Sequence, residues 1–339
     1  MKILLASHVF YPSIGGIETV SSMLAHEFVE LGHEVKLVTQ TPASAESNKK
    51  FSFEIIRKPK PHQLIQLLRW CDVFFQNNIS LQTWWATLFV RKPWFVTHQT
   101  WIRRVNGSVG WQDRVKCFLL EFATCISISQ SIAKHLKTPS IVIGNPYQDD
   151  LFYELPEVSR DRELVFLGRL VSDKGVDLLI TALGNLKKEY SLTPRLTIIG
   201  AGPEENLLRN LAATLEVSSQ VNFVGTKTGT ELVKLLNSHK IMVVPSRWSE
   251  PFGVVALEGI ACGCVVVGSE GGGLKDAIGP CGITFPNGDV KALTQILAKL
   301  LTDRQALAVY RSHSHTHLSQ FKKQSVAQAY LKLFEGAIK

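Results

Sequence analysis

No Asp-x-Asp pair and no carboxylate cluster with magnesium-holding spacing occurs in the 339 residues. The six cysteines, at positions 71, 117, 125, 262, 264 and 281, include no Cys-x-x-Cys pair. These absences predict that no metal is required and that the cysteines are buried, reduced thiols. No apolar run reaches the roughly 18 residues of a spanning helix, so any membrane contact is expected to be peripheral and the location cytoplasmic. Met1-Lys2-Ile3-Leu4-Leu5-Ala6 runs at once into His8, Pro12 and Gly15-Gly16, which reads as a first core strand rather than a signal peptide. Basic runs interleaved with stacking aromatics are missing, as are zinc-finger and helix-turn-helix spacings, so nucleic acid is not an expected partner. Gly200-Ala201-Gly202-Pro203 lacks the third glycine of a dinucleotide fingerprint, and Glu204-Glu205 would repel a pyrophosphate, which argues against a nicotinamide-dependent oxidoreductase.

What is present is a soluble balance of 45% hydrophobic and 19% charged residues, with a formal net charge of +8 that favours anionic partners. Short apolar runs alternate with helical patterns. Strands are predicted at Ile3 to Ala6, Val35 to Thr39, Val73 to Gln76, Trp94 to His98, Cys125 to Ser129 and Ile141 to Ile143. A helix carries Ile17, Val20, Leu24, Phe28 and Leu31 on one face and ends at Gly32. The turn-rich stretch Gly144 to Asp150 reads as a linker. A second series follows, with strands at Leu164 to Leu167, Leu196 to Ile199, Val221 to Val224, Ile241 to Val244, Val265 to Val267 and Ile283 to Phe285. The alternation predicts an α/β chain of two doubly wound, Rossmann-like domains, residues 1–147 and 148–318. Pro42 to Lys50 and Arg103 to Asp113 are expected to be mobile loops.

The most informative segment is Pro245-Ser246-Arg247-Trp248-Ser249-Glu250-Pro251-Phe252-Gly253-Val254-Val255-Ala256-Leu257-Glu258. Pro251 and Gly253 form a strand-to-helix turn, and the helix from Val254 to Ala261 has free N–H groups at its start. Glu250 stands before that helix and Glu258 a little over one turn inside it, so both carboxylates point toward the crevice at the strand ends.

This paired glutamate, with Gly15-Gly16-Ile17-Glu18, Gly168-Arg169-Leu170-Val171-Ser172-Asp173-Lys174-Gly175 and Gly200-Ala201-Gly202-Pro203, resembles the retaining glycosyltransferases of family four over nearly the whole length. The resemblance implies the GT-B architecture, two such domains facing each other across a cleft that closes on the donor. It also implies a last helix, within about 319–339, that crosses back onto the first domain. The implied activity is metal-independent retaining transfer of a hexose from a nucleotide diphosphate sugar, with UDP-glucose the preferred donor and no cofactor. Arg169 and Lys174 would hold the diphosphate, Glu250 the hydroxyls of the transferred sugar and Glu258 those of the ribose. Backbone N–H groups of Phe252, Gly253, Val254 and Val255 would add contacts to sugar and phosphates. Gly15 and Gly16, expected before the first helix, would approach the donor closely. Gly225 and Thr226, with Lys227, would pair with the base, and His98 would lie beside the anomeric region. No separate base is identified, and the front-face mechanism proposed for the family is implied with the rest.

On the acceptor side, tryptophans 70, 84, 85, 94, 101 and 111 share the first domain with Lys49, Lys50, Arg57, Lys58, Lys60, Arg103 and Arg104. Either the acceptor is lipid-linked at an anionic membrane face, or Trp84, Trp85 and Trp94 are core and the charges a solvated face. The expected product is an envelope polysaccharide or glycolipid. A nucleotide-sugar epimerase of the same architecture and a non-catalytic nucleotide-sugar sensor are the competing readings, the first opposed by the paired glutamates, the second by the intact Arg169, Lys174, Glu250 and Glu258. His313, His315 and His317 alternate, but Ser314 and Thr316 between them predict a solvated loop rather than a metal site.

Overall fold

The computed structural model describes residues 1–13, 15–44, 48, 50–102 and 110–338, apart from the Arg304 side chain. Lys49, Arg103 and Arg104, and parts of the two expected mobile loops, lie outside the described residues. The chain divides into two compact units, Met1–Pro146 with Phe321–Lys339, and Tyr147–Gln320.

The first unit is built on seven strands, β1 Lys2–Ala6, β2 Glu34–Thr39, β3 Glu54–Arg57, β4 Val73–Asn77, β5 Trp94–His98, β6 Thr124–Ser127 and β7 Ser140–Val142. All neighbours pair in parallel in the order β3-β2-β1-β4-β5-β6-β7. Successive residues of a strand face opposite ways, and both faces are apolar here because helices cover both. Ile3, Leu5, Phe75 and Phe95 join one core with the helix Gly16–Glu30, while Leu4, Ala6, Phe74 and Val96 join a second with the helix Pro61–Trp70. The C-terminal helix Lys323–Ile338 packs on the first of these cores through Val326, Ala327, Tyr330, Leu331 and Phe334. Its Tyr330 hydroxyl lies 3.0 Å from Thr97 Oγ1.

The second unit has six parallel strands, β8 Arg162–Leu167, β9 Leu196–Ile199, β10 Val221–Phe223, β11 His239–Val244, β12 Val265–Ser269 and β13 Gly282–Phe285. Their order is β10-β9-β8-β11-β12-β13. Phe166, Ile198, Ile241 and Val267 meet the helix Val176–Tyr190 on one face. The helix Val254–Ala261 covers the other, its Gly259 backed directly onto Met242.

Three local expectations are corrected. Strand β3 is not legible from hydrophobic runs because Glu-Ile-Ile-Arg is a short edge strand with charged ends, held by its parallel register on β2 and by a 2.9 Å Lys36–Glu54 ion pair. Trp111 to Asp113 are the first turn of the helix Trp111–Leu119 rather than loop, since Asp113 Oδ2 accepts from Gly110 N at 2.9 Å and so satisfies a donor at the helix start. His313 and His315 are exposed, but the segment is not a loop: Ser314–Ser319 is helical, and buried His317 meets the Ala277 carbonyl at 2.8 Å.

The C-terminal helix is thus part of the first core. Phe334 is fully buried, with its ring 4.7 Å from Phe95 and 5.5 Å from Phe75. Phe334→Ala is expected to lower the unfolding free energy by about 3–5 kcal/mol, and Tyr330→Phe, which removes only the hydroxyl, by about 1 kcal/mol, both read from urea unfolding.

Candidate functional site

In an open parallel sheet, ligands bind beyond the carboxyl ends of the strands where the strand order reverses. In the second unit that point lies between β8 and β11, because the chain runs outward through β9 and β10 and then returns to the other side of β8. The turn after β8 carries Arg169 and Lys174, and the turn after β11 carries Ser246, Arg247 and Glu250.

These two turns are locked together. Lys174 closes a 3-10 turn, Ser172–Lys174, and Gly175 after it has φ +66°, with any side chain there colliding with the Pro245 carbonyl oxygen. Only glycine lets the two backbones approach so closely. Arg247 N donates to Asp173 O at 2.9 Å, and the Arg247 guanidinium forms a two-pronged pair with Asp177. The turn after β12 closes the far side, where Gly273 N donates to Glu250 O at 2.7 Å. Asn287 Nδ2 donates to Ser246 O and Arg247 O, at 3.4 and 3.3 Å, and its Oδ1 accepts from Gly271 N at 2.7 Å.

Within this frame the two glutamates have different surroundings. Glu250 Oε1 accepts from Lys174 Nζ at 2.6 Å and from Ser246 Oγ at 2.8 Å, with 14% of its side chain exposed and 28% of that of Lys174. Each side chain thus satisfies the other. The side chain of Glu258, half-buried on the helix Val254–Ala261, makes no hydrogen bond or ion pair among the described residues. Burial pushes its carboxyl up to about 7. At neutral pH it is therefore divided between a form that can only accept hydrogen bonds and one that can also donate.

The remaining expected residues fall at the same sheet edge. Arg169 is exposed and unpaired among the described residues, its backbone held by the Leu170 N to Ala201 O bond of 3.0 Å. That bond also explains Gly200-Ala201-Gly202, which packs directly against Gly168 to Leu170. Gly253, at φ +106°, precedes the helix without a capping side chain, so N–H groups of its first turn, from Val254 and Val255, need partners from outside the helix. Phe252 is buried, which leaves its backbone for any ligand contact. Gly225 O is taken by Gly200 N at 2.9 Å, and Thr226 is exposed beside it. Ser246, Asn287 and the Arg247–Asp177 pair were not singled out from sequence. The one available signal was that Ser246 stands four residues before Glu250. Ser269 Oγ, at the end of β12, is buried without a partner among the described residues.

The first unit has its own switch point, between β1 and β4. A pocket of about 510 Å³ there is lined by His8, Asn77, Ser80, Gln82, His98 and Trp101 among others. His98 ends β5, is 1% exposed, and its Nε2 has no hydrogen-bond partner among the described residues. Desolvation lowers its pKa to about 4, so it is neutral over the physiological range. Asn77 Oδ1 is likewise buried and unpartnered, while its amide nitrogen donates to Ser21 Oγ at 2.7 Å. Gln99, the residue after His98, is closed off by a reciprocal amide pair with Asn145, at 2.7 and 3.0 Å. Gly15 caps the helix Gly16–Glu30, so Gly16 is the first helical residue rather than one that precedes the helix. It faces open space, and the Glu18 carboxyl lies over Gly15.

The tryptophan pattern divides. Trp94 is buried, Trp70, Trp84, Trp85 and Trp101 are half-buried, and Trp111 is 69% exposed. Arg57 is not a solvated cation, since its guanidinium donates to the carbonyls of Tyr11 and Thr41 at 2.9 and 2.8 Å and to Asn48 Oδ1. Among the described residues no group of three or more His, Cys, Asp or Glu side chains is arranged to hold a metal ion, and no helix is long and apolar enough to cross a membrane.

Residues 148–316 match the family model of the glycosyl transferases group 1. An uncharacterized glycosyltransferase of Methanocaldococcus jannaschii is 28% identical over 82% of this chain and 83% of its own length. A glycogen synthase of Mycobacterium tuberculosis is 36% identical over 52% of this chain, a stretch that spans only 42% of the synthase. A Rickettsia africae glycosyltransferase superposes with a TM-score of 0.83 at 17% identity, covering 100% of this chain and 98% of that one. The Anabaena protein HepE, solved with UDP, superposes with a TM-score of 0.83 at 19% identity over 99% of this chain and all of that one. These structures share the fold of the chain, GT-B, with two parallel-sheet Rossmann-like domains.

Because folding raises the Glu258 pKa from about 4.5 to about 7, the folded state holds more protons than the unfolded state between those values, and stability falls as pH rises through that window. Relative to Glu258→Gln, the wild type is expected to lose on the order of 3 kcal/mol between pH 4 and pH 8, as measured by urea unfolding at each pH. Parallel curves for the two proteins would contradict a carboxyl that titrates near 7.

Proposed function

We propose that this chain, whose second unit carries the group 1 glycosyl transferase family, moves a hexose with retention from a nucleotide diphosphate sugar to a glycan or lipid-linked acceptor. UDP-glucose is the preferred donor. The observation that carries the reading is the contrast at one strand-to-helix turn: Glu250 is held by Lys174 and Ser246, while the half-buried, desolvated carboxyl of Glu258 has no partner among the described residues. A desolvated carboxyl without a partner costs stability unless a ligand satisfies it. A ribose diol presents two hydroxyls that can do so, and we assign Glu258 to it. The UDP held by HepE and the UDP-glucose in a second structure of that protein support the choice of donor.

The leaving group gains negative charge as the bond from the sugar's anomeric carbon to the diphosphate breaks. Arg169 and Lys174 supply the compensating cations, Arg169 as a planar fork and Lys174 as a compact charge. N–H groups at the start of the helix Val254–Ala261 add to that compensation. In the ligand-free state Glu250 neutralises Lys174. A diphosphate that engages Lys174 draws it toward the phosphates and frees Glu250 to accept from hydroxyls of the transferred sugar. The acceptor oxygen bonds to the anomeric carbon on the face the diphosphate leaves, and the acceptor proton passes to the departing phosphate oxygen. Gly225 and Thr226 are assigned to the base. The first unit is assigned to the acceptor, with neutral His98 and Gly15-Gly16 contributing hydrogen-bonding surface for sugar hydroxyls.

Titration calorimetry with UDP, GDP and ADP, followed by nucleotide-release assays on their glucose, N-acetylglucosamine, galactose and mannose conjugates in EDTA, tests this directly. UDP binding and slow release from UDP-glucose are expected, unaffected by the chelator. Lys174→Ala and Glu250→Ala are each expected to lower turnover at least about a hundredfold, roughly 3 kcal/mol of transition-state stabilisation, with unfolding transitions still cooperative. Failure to bind any of the three nucleotides would sink the donor assignment.

A further inference from the structure

The transfer reaction leaves one surface unexplained, on the segment after residue 110. Trp111, Phe118 and Phe122 are 69, 59 and 68% exposed. Their spacings of seven and four residues put them on one face of the helix Trp111–Leu119 and the 3-10 turn Leu120–Phe122 that continues it. The Phe118 and Phe122 rings are in edge contact at 5.5 Å. The opposite face carries buried Leu119 and Leu120 into the core, so the aromatic stripe is not a mispacked interior face. Three large aromatics held in water on one short element are costly without a partner.

Two further observations say what kind of partner. Exposed Arg114 falls within the stripe, and Lys134 and Lys137 are exposed on the neighbouring helix Gln130–His135 and the turn after it. None of the three cations has an ion-pair partner among the described residues, whereas Lys116 lies 4.0 Å from Asp113 on the same helix. Beside the stripe lies a cavity of about 740 Å³ whose lining includes Ile102, Phe118 and Leu136, the cations Arg114 and Lys137, and one carboxylate, Glu121. Apolar walls with cations among the lining residues suit an amphiphile with an anionic head and an apolar tail. A second copy of this chain fits less well, because its own Arg114 and lysines would meet like charges.

We propose that the face formed by Trp111, Arg114, Phe118 and Phe122, with Lys134 and Lys137, docks the protein on an anionic lipid bilayer. The aromatics enter the headgroup boundary and the cations meet lipid phosphates. None of these residues belongs to the donor site, so the docking stands or falls separately from the transfer reaction.

The experiment is co-sedimentation of the full chain with vesicles of phosphatidylglycerol and phosphatidylcholine, against phosphatidylcholine alone, at low and moderate salt. Binding to the anionic vesicles that weakens with salt is expected, with little binding to the neutral ones. The triple variant Trp111→Ser, Phe118→Ser, Phe122→Ser and the double variant Arg114→Glu, Lys137→Glu should each reduce it by roughly tenfold or more. UDP affinity, read by calorimetry, should be unchanged in both variants, which also reports that they are folded. Lipids brominated in the acyl chain should quench part of the tryptophan fluorescence of the wild type, and Trp111→Phe should remove that part. No binding to anionic vesicles, or equal binding by the triple variant, overturns the proposal. A dimer of the wild type that the triple variant abolishes in sedimentation velocity also overturns it and assigns the face to a second copy.

Discussion

At the switch point of the second sheet, the turn after β8 and the turn after β11 meet backbone to backbone, and a side chain at Gly175 would collide with the Pro245 carbonyl oxygen. That contact fixes the distance between Lys174, one residue before Gly175, and Ser246, one residue after Pro245. The Arg247–Asp177 pair and the Arg247 N to Asp173 O bond hold the same two turns a few residues away. With both backbones clamped, the 2.6 Å Lys174–Glu250 pair needs little side-chain ordering beyond what the turns already impose. A loose loop could supply the same residue types, but a cation aimed at developing charge is effective only if it is already in place.

The pairing of Glu250 and the isolation of Glu258 follow from where the chain places them. Glu250 lies in the turn, where the side chains of two strand-end loops can reach it. Glu258 lies half-buried on the helix Val254–Ala261, and desolvation alone moves its carboxyl to about 7. An interior with a half-titrated carboxyl is less stable than one with an amide or an aliphatic group in the same space.

Much of this was legible in the sequence because parallel strands buried on both faces read as continuous apolar runs, and twelve of the strands stand where such runs do. The exception, β3, depends on pairing with β2 and on a Lys36–Glu54 contact that no local pattern announces. The helix Val254–Ala261 was readable from Pro251, Gly253 and the apolar run after them. What could not be read is which polar groups meet. Ser246 and Lys174 are 72 residues apart and converge on one carboxylate oxygen, while Arg57 and His317 look like solvated groups in sequence and are bound to backbone carbonyls in the fold. Long-range register, not residue type, decides such contacts. The tryptophans illustrate the same point: five serve the interior of the first unit to varying degrees, and only the solvent exposure of Trp111 separates it from them.

The two units also differ in electrostatic character at their switch points. The second presents Arg169 and Lys174 and the N-terminus of a helix, groups that favour a diphosphate. The first presents amides, hydroxyls and a histidine whose burial keeps it uncharged, with Asn77 Oδ1 and His98 Nε2 without partners among the described residues. Unpartnered neutral acceptors and donors are poor ligands for phosphate but good ones for hydroxyls, which can both give and take a hydrogen bond. At the start of the first unit's helix Gly16–Glu30, the position where an anion would otherwise be favoured, the Glu18 carboxyl already lies over Gly15. The same doubly wound sheet therefore carries cations at one switch point and neutral polar groups at the other, and the difference lies in the side chains at the strand ends rather than in the topology.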